Sequence, residues 1–210
     1  MFTTKLFLIT LFSAIVGVIP PGLVNMTVAK TCLERGKRSG FLVAIGASFT
    51  VFFQALVAVQ LSKILFKEKW IVNVLLQTGF VLFLGLGIYF FIKAQKRAAQ
   101  KRVRLSEHGP IRSFLKGAMI SFFNILPIPY FCAIAITISA KGIVEFNLYD
   151  IIVFISAAAL GTYMTLHAYA YIFLKIRVNE IKFAKISNYI MSGLMAILMI
   201  ITVIRMIKGE

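Results

Sequence analysis

Carboxylates are scarce here: seven Asp and Glu stand against 23 Lys and Arg in 210 residues. Glu34, Glu68, Glu107, Glu145, Asp150, Glu180 and Glu210 all fall between or at the ends of long apolar runs. No carboxylate is therefore placed to balance a second positive charge in an apolar interior, which disfavours lysine-like and divalent cations as cargo. Cysteine and histidine are as rare, two of each: Cys32, Cys132, His108 and His167. That supplies neither a disulfide framework nor closely spaced zinc ligands, and the residues call for no metal and no cofactor. No Ser/His/Asp constellation or glycine-rich phosphate loop occurs, so an enzyme is not expected.

What the chain has in excess is apolar residue: 60% hydrophobic, 14% charged, with a mean hydropathy of +0.92. This lies outside the range of soluble globular domains. Runs of about 20 residues, the length that crosses a bilayer core, occupy 6–29, 40–62, 70–92, 114–139, 150–174 and 186–207. They are continuous rather than alternating, so their backbone groups must pair within helices and not in a barrel. The expected fold is an all-α membrane protein of six transmembrane helices, a single transmembrane domain over 1–210. Lys5 precedes a short apolar stretch, but Pro20-Pro21-Gly22 stand where a signal peptide would carry small cleavage-site residues. The first run is read as one interrupted span retained in the chain.

A net charge of +16 fits nucleic acid, an acidic partner or a membrane surface. The basic residues sit in short segments between apolar runs, without the interleaved aromatic platform of a single-strand binder. No nucleic-acid partner is expected; membrane lipids are. Of the Lys and Arg, 16 fall in the first, third and fifth connections, counting Lys116 at the start of the fourth run with the third connection, and seven elsewhere. By the positive-inside rule those connections are cytoplasmic and both termini lie outside, in a multi-pass protein of the cytoplasmic membrane. The loop at 93–113 is an anchor on anionic headgroups or, alternatively, a regulatory basic helix.

Four of the five prolines form two pairs, Pro20 with Pro21 and Pro127 with Pro129, each near the middle of a run. Dividing the chain at the basic loop gives two sets of three spans, 1–92 and 114–210. Odd-numbered sets face opposite ways, which is the layout of inverted repeats whose broken helices frame a transport site. Two unrelated kinks are the alternative. Proline lacks an amide proton and clashes with the carbonyl four residues earlier. Pro20 and Pro21 thus free the carbonyls of Val16 and Gly17, and Pro127 and Pro129 those of Phe123 and Ile125. A half-helix starting after each break exposes amides around Gly22, Leu23 and Val24, and around Tyr130, Phe131 and Cys132. A zwitterion suits both ends, its carboxylate on amides and its ammonium on carbonyls.

Asn25 and Asn124 flank the breaks and can line the cavity or simply glue helices together. Gly46, Thr50, Gln54, Ala58 and Ser62 recur on one face of the second span, which should face the bundle, with Gln54 at mid-depth a pore-lining candidate. The fifth span carries Ser156, Tyr163, His167 and Tyr171 on one face and Gly161, Thr165 and Tyr169 on a neighbouring one. Tyr163 is a substrate-binding candidate. His167 is either a proton relay or a neutral imidazole hydrogen-bonded to a tyrosine.

Pro21-Gly22, then Asn25, the run Glu34-Arg35-Gly36-Lys37-Arg38-Ser39-Gly40-Phe41, and Gly46 follow in an order that resembles the LysE/RhtB family of amino-acid exporters. Phe114-Leu115-Lys116-Gly117 leading to Phe122-Phe123-Asn124 is similar to a second region of that family. The resemblance implies six helices in two inverted halves and export of amino acids or related metabolites, driven by the proton-motive force. This sequence has Leu23 and Ile125 where the family often has proline, and Val51 near a position where many members carry an acid. Taken with the missing carboxylates, a neutral, zwitterionic small-molecule substrate is expected, and a homo-oligomer is compatible with the sequence. A non-transporting scaffold or sensor and an ion or metal exporter are the alternatives.

Overall fold

The computed structural model describes residues 2–20, 22–65, 69–95, 109–140, 142–143, 145, 147–176 and 180–208. Among these residues every element is a helix: α1 (Phe2–Val18), α2 (Leu23–Arg35), α3 (Lys37–Leu65), α4 (Lys69–Gln95), α5 (Pro110–Phe122), α6 (Pro127–Ala140), α7 (Leu148–Ile176) and α8 (Glu180–Lys208). The first and fourth apolar runs are each broken into two helices, α1 with α2 bent by 73° and α5 with α6 by 65°. α3 and α7 are each long and apolar enough to cross a membrane alone, and each bent pair qualifies as one further span. In α4 and α8 the described apolar stretches are Phe83–Gln95 and Asn188–Ile204.

Two compact units are present. The larger holds α1, α2, α3, α5, α6 and α7, and the smaller is built on α4 and α8. α3 shows why the larger unit belongs in lipid. Ile45, Phe49, Phe53, Val57, Leu61 and Ile64 form an exposed apolar stripe, while Gly46, Thr50, Gln54, Ala58 and Ser62 are buried. The polar and small residues face the protein, the arrangement expected where the outer solvent is hydrocarbon.

Small residues set the helix spacing. A methyl group at Gly46 would overlap the Phe114 carbonyl, and one at Gly117 the backbone of Val43, so α3 and α5 cross backbone to backbone. A methyl group at Gly161 would lie 2.6 Å from the Leu11 carbonyl and 2.7 Å from Ala14 Cβ, so α7 meets α1 in the same way. α2 turns into α3 through Gly36 alone, at φ +84°, a conformation only glycine adopts cheaply. Val24, Val28 and Cys32 of α2 then pack on Val43, Ala44 and Ala47 of α3 and Leu166 and Ala170 of α7. In the smaller unit Ser192 donates to the Gly87 carbonyl at 3.1 Å, and Tyr189 packs on Phe91.

The second break lies earlier than the proline spacing predicts. Pro127 does not end a helix but begins α6, and the gap is Phe123 to Leu126. The physical reason is that a first helical position needs no amide proton and favours the φ that a proline ring imposes.

Candidate functional site

At the first break the carbonyl end of α1 is held by side chains from two other helices. Asn25 Nδ2 donates to the Val18 carbonyl at 2.6 Å, and the Tyr169 hydroxyl donates to the Ile19 carbonyl. The Asn25 and Tyr169 side chains lie within interaction range of each other. Tyr130 of α6 lays its ring over Gly17, 2.6 Å from where a β-carbon would stand, and its hydroxyl donates to Ser13 O at 2.6 Å. The Val16 carbonyl is not free: Ile19 N donates to it at 3.3 Å and to Ile15 O at 3.1 Å, closing the last turn. Pro21 lies outside the described residues, and a β-carbon at Gly22 would meet nothing within 4 Å. The first amides of α2, from Leu23 onward, have no intrahelical acceptor, as at any helix start.

The second break is held in a comparable way. Gln54 Nε2 donates to Ser121 O at 3.0 Å and to Asn124 O at 2.9 Å, and Thr50 Oγ1 donates to Ala118 O at 3.1 Å. Gln54 is 6% exposed, and its Oε1 is buried without a hydrogen-bond partner among the described residues. An unpaired buried amide oxygen costs about 1–3 kcal/mol, a standing demand for a donor. Asn124 is half-buried and enters through its carbonyl.

The amino end of α6 differs from expectation. Pro127 and Pro129 contribute no amides, Ile128 N donates to Ile125 O at 3.1 Å and Tyr130 N to Leu126 O at 3.3 Å. The Ile125 carbonyl and the Tyr130 amide are each paired within the turn, and Phe131 and Cys132 are buried. The two prolines close the donor end of the second break, so the breaks are unlike: the first offers amides, the second an amide-oxygen acceptor.

One correspondence links them. On α3, Gly46 makes the close approach to α5, Thr50 donates to the Gly46 carbonyl at 3.3 Å, and Gln54 reaches the second break. On α7, Gly161 makes the close approach to α1, Thr165 donates to the Gly161 carbonyl at 3.0 Å, and Tyr169 reaches the first. Glycine, threonine and the reaching side chain are four residues apart in both helices. The reading from sequence singled out Gln54 but not Tyr169 or Tyr130. The signal that finds Tyr169 is its distance from Gly161, equal to that of Gln54 from Gly46.

Tyr163 and His167 form a separate group. The His167 ring stacks on Phe41 with centroids 4.3 Å apart and an interplanar angle of 9°, and Tyr163 lies tilted at 5.7 Å. Lys37 Nζ sits 5.5 Å from the Phe41 centroid. His167 Nδ1 is buried and, among the described residues, without a hydrogen-bond partner, so no tyrosine holds that nitrogen. Ser156 and Tyr171, placed on one face with them by their spacing, are exposed, while Gly161 and Thr165 on the neighbouring face are buried.

The model of the LysE type translocator family matches residues 15–206. No curated protein and no solved structure matches the chain.

Proposed function

The chain belongs to the LysE type translocator family and is a multi-pass membrane transporter, and from that premise we propose that it exports neutral amino acids or similar small zwitterions across the cytoplasmic membrane. Its six spans form two inverted halves, 1–92 and 114–210, with both termini outside and the basic connections cytoplasmic. Transport proceeds by alternating access and draws on the proton-motive force. The observation that carries this reading is the repeated glycine, threonine and reaching side chain on α3 and α7, each serving the broken helix of the other half. Two unrelated kinks would have no reason to be capped from equivalent positions.

The substrate carboxylate is received by the first amides of α2, at Gly22 to Val24, where the helix dipole favours an anion. Its ammonium donates to Gln54 Oε1, which otherwise stays unpaired in the apolar interior. Opening a break toward one side exchanges the Gln54 or Tyr169 hydrogen bonds for water. His167, whose Nδ1 is unpaired, is the proton carrier.

The test is export from cells fed a dipeptide, read as intracellular accumulation of its product. Gln54→Leu and Tyr169→Phe should cut export about tenfold or more, as expected for losing one buried hydrogen bond of about 1–3 kcal/mol, with expression and helix content unchanged. Gly22→Phe, which fills the open space beside the first amides of α2, should abolish it. Wild-type export by Gln54→Leu and Tyr169→Phe would remove the breaks from the mechanism. Identical metabolite profiles in cells lacking and overproducing the protein would instead favour a non-transporting scaffold.

A further inference from the structure

Away from both breaks, α2 and α5 meet around a group of cations. Lys116 Nζ of α5 donates to Thr31 Oγ1 of α2 at 3.2 Å, and Thr31 is buried. Lys30, Glu34 and Arg35 all act electrostatically on Lys116. Glu34 is already engaged, its Oε1 lying 3.5 Å from Lys30 Nζ. Three cations thus share one paired carboxylate, and Lys116 is partly desolvated, which costs free energy unless an anion joins them.

Two further groups at this junction want a partner. Arg35 Nε and Ser113 Oγ are buried and, among the described residues, make no hydrogen bond. Ser113 is 1% exposed. Their level in the bundle follows from register. α3 runs alongside α5 in the same direction, since Thr50 and Gln54 meet Ala118 and Asn124 in order. α2 turns back into α3 at Gly36, so α2 and α5 are antiparallel. Arg35 lies one turn beyond Thr31, and Ser113 just under one turn before Lys116. The contact of Lys116 with Thr31 therefore sets Arg35 and Ser113 at the same height, on the side of the basic connections.

We propose that this junction is an oxyanion-binding site, in which a phosphate or carboxylate group is held by Lys116 Nζ, Arg35 and the Ser113 hydroxyl. Guanidinium, ammonium and hydroxyl donors at one level of the bundle, with Arg35 Nε and Ser113 Oγ lacking an acceptor among the described residues, are the chemistry that recognises such a group. The oxyanion comes from the headgroup of an anionic lipid or from a free anion in the cytoplasm, the carboxylate of an approaching substrate included. The inference does not depend on what the breaks carry, because it is tested by binding and not by transport.

The experiment measures the thermal unfolding midpoint of the purified full chain in two settings at constant ionic strength. In a non-ionic detergent the probe is inorganic phosphate replacing chloride; in phosphatidylcholine vesicles it is an increasing fraction of phosphatidylglycerol. The wild-type midpoint should rise saturably. A rise with inorganic phosphate assigns the site to free anions, and a rise with phosphatidylglycerol alone assigns it to a lipid headgroup. Lys116→Met should weaken the apparent affinity about tenfold or more, as the loss of a charge-assisted contact does, and Lys116→Arg should keep it. Ser113→Ala, which removes only a hydroxyl, should weaken it a few-fold and serves if Lys116→Met does not fold. A wild type indifferent to both probes overturns the proposal. So does a folded Lys116→Met, or failing that a Ser113→Ala, that binds as the wild type does.

Discussion

Gly46 has no room for a methyl group, because the Phe114 carbonyl occupies the position where a β-carbon would stand. Gly193, on α8, has open space there. Gly46→Ala must push α3 and α5 apart and should lower stability by about 1–3 kcal/mol or more, as overpacking does. Gly193→Ala should leave it unchanged or raise it by about 1 kcal/mol through helix propensity. Thermal unfolding in detergent separates the two, and equal midpoints would show that the α3–α5 crossing has slack. At this scale much was readable beforehand: the stripe of Gly46, Thr50, Gln54, Ala58 and Ser62 is buried as its spacing predicts. Tyr169 was not, because a tyrosine at a membrane helix end is equally well explained as an interface anchor.

The broken helices are a property of elements, and at the second break prolines alone do not hold the helix broken. Pro127 is the first residue of α6, where alanine would also serve. The 65° bend is instead fixed by Gln54 on the Ser121 and Asn124 carbonyls and by the Gly46–Gly117 crossing. Pro127→Ala should therefore keep its stability within about 1 kcal/mol and retain most of its export, while Gln54→Leu loses export in the same assay. A Pro127→Ala variant as inactive as Gln54→Leu would return the break to the proline. The sequence misplaced this element boundary because proline excludes the helix on its amino side and starts one on its carboxyl side, and a pair of prolines does not say which role dominates.

At the scale of the whole molecule, charge asymmetry makes a prediction of orientation. Thr4 and Arg38 are both exposed, the first near the start of α1 and the second just after the Gly36 turn. Cysteines placed at Thr4 and at Arg38 should be labelled by a membrane-impermeant maleimide from opposite sides, Thr4→Cys in intact cells and Arg38→Cys only after permeabilisation. Cys32 and Cys132 are buried and should give little background. Labelling of both from the same side would contradict the positive-inside assignment and the cytoplasmic location of the basic connections.

Composition and hydropathy by themselves determined that this chain is helical and lives in lipid, since continuous apolar runs leave backbone groups no partner outside a helix. Motif order determined its family before any contact was known. Tertiary structure alone decided which atoms meet at the breaks, because a hydrogen bond from Gln54 to Asn124 or from Tyr169 to Ile19 spans 70 or 150 residues of sequence. Such pairings depend on how closely helices approach. That closeness is set by glycines whose importance shows only when the opposite backbone is in place.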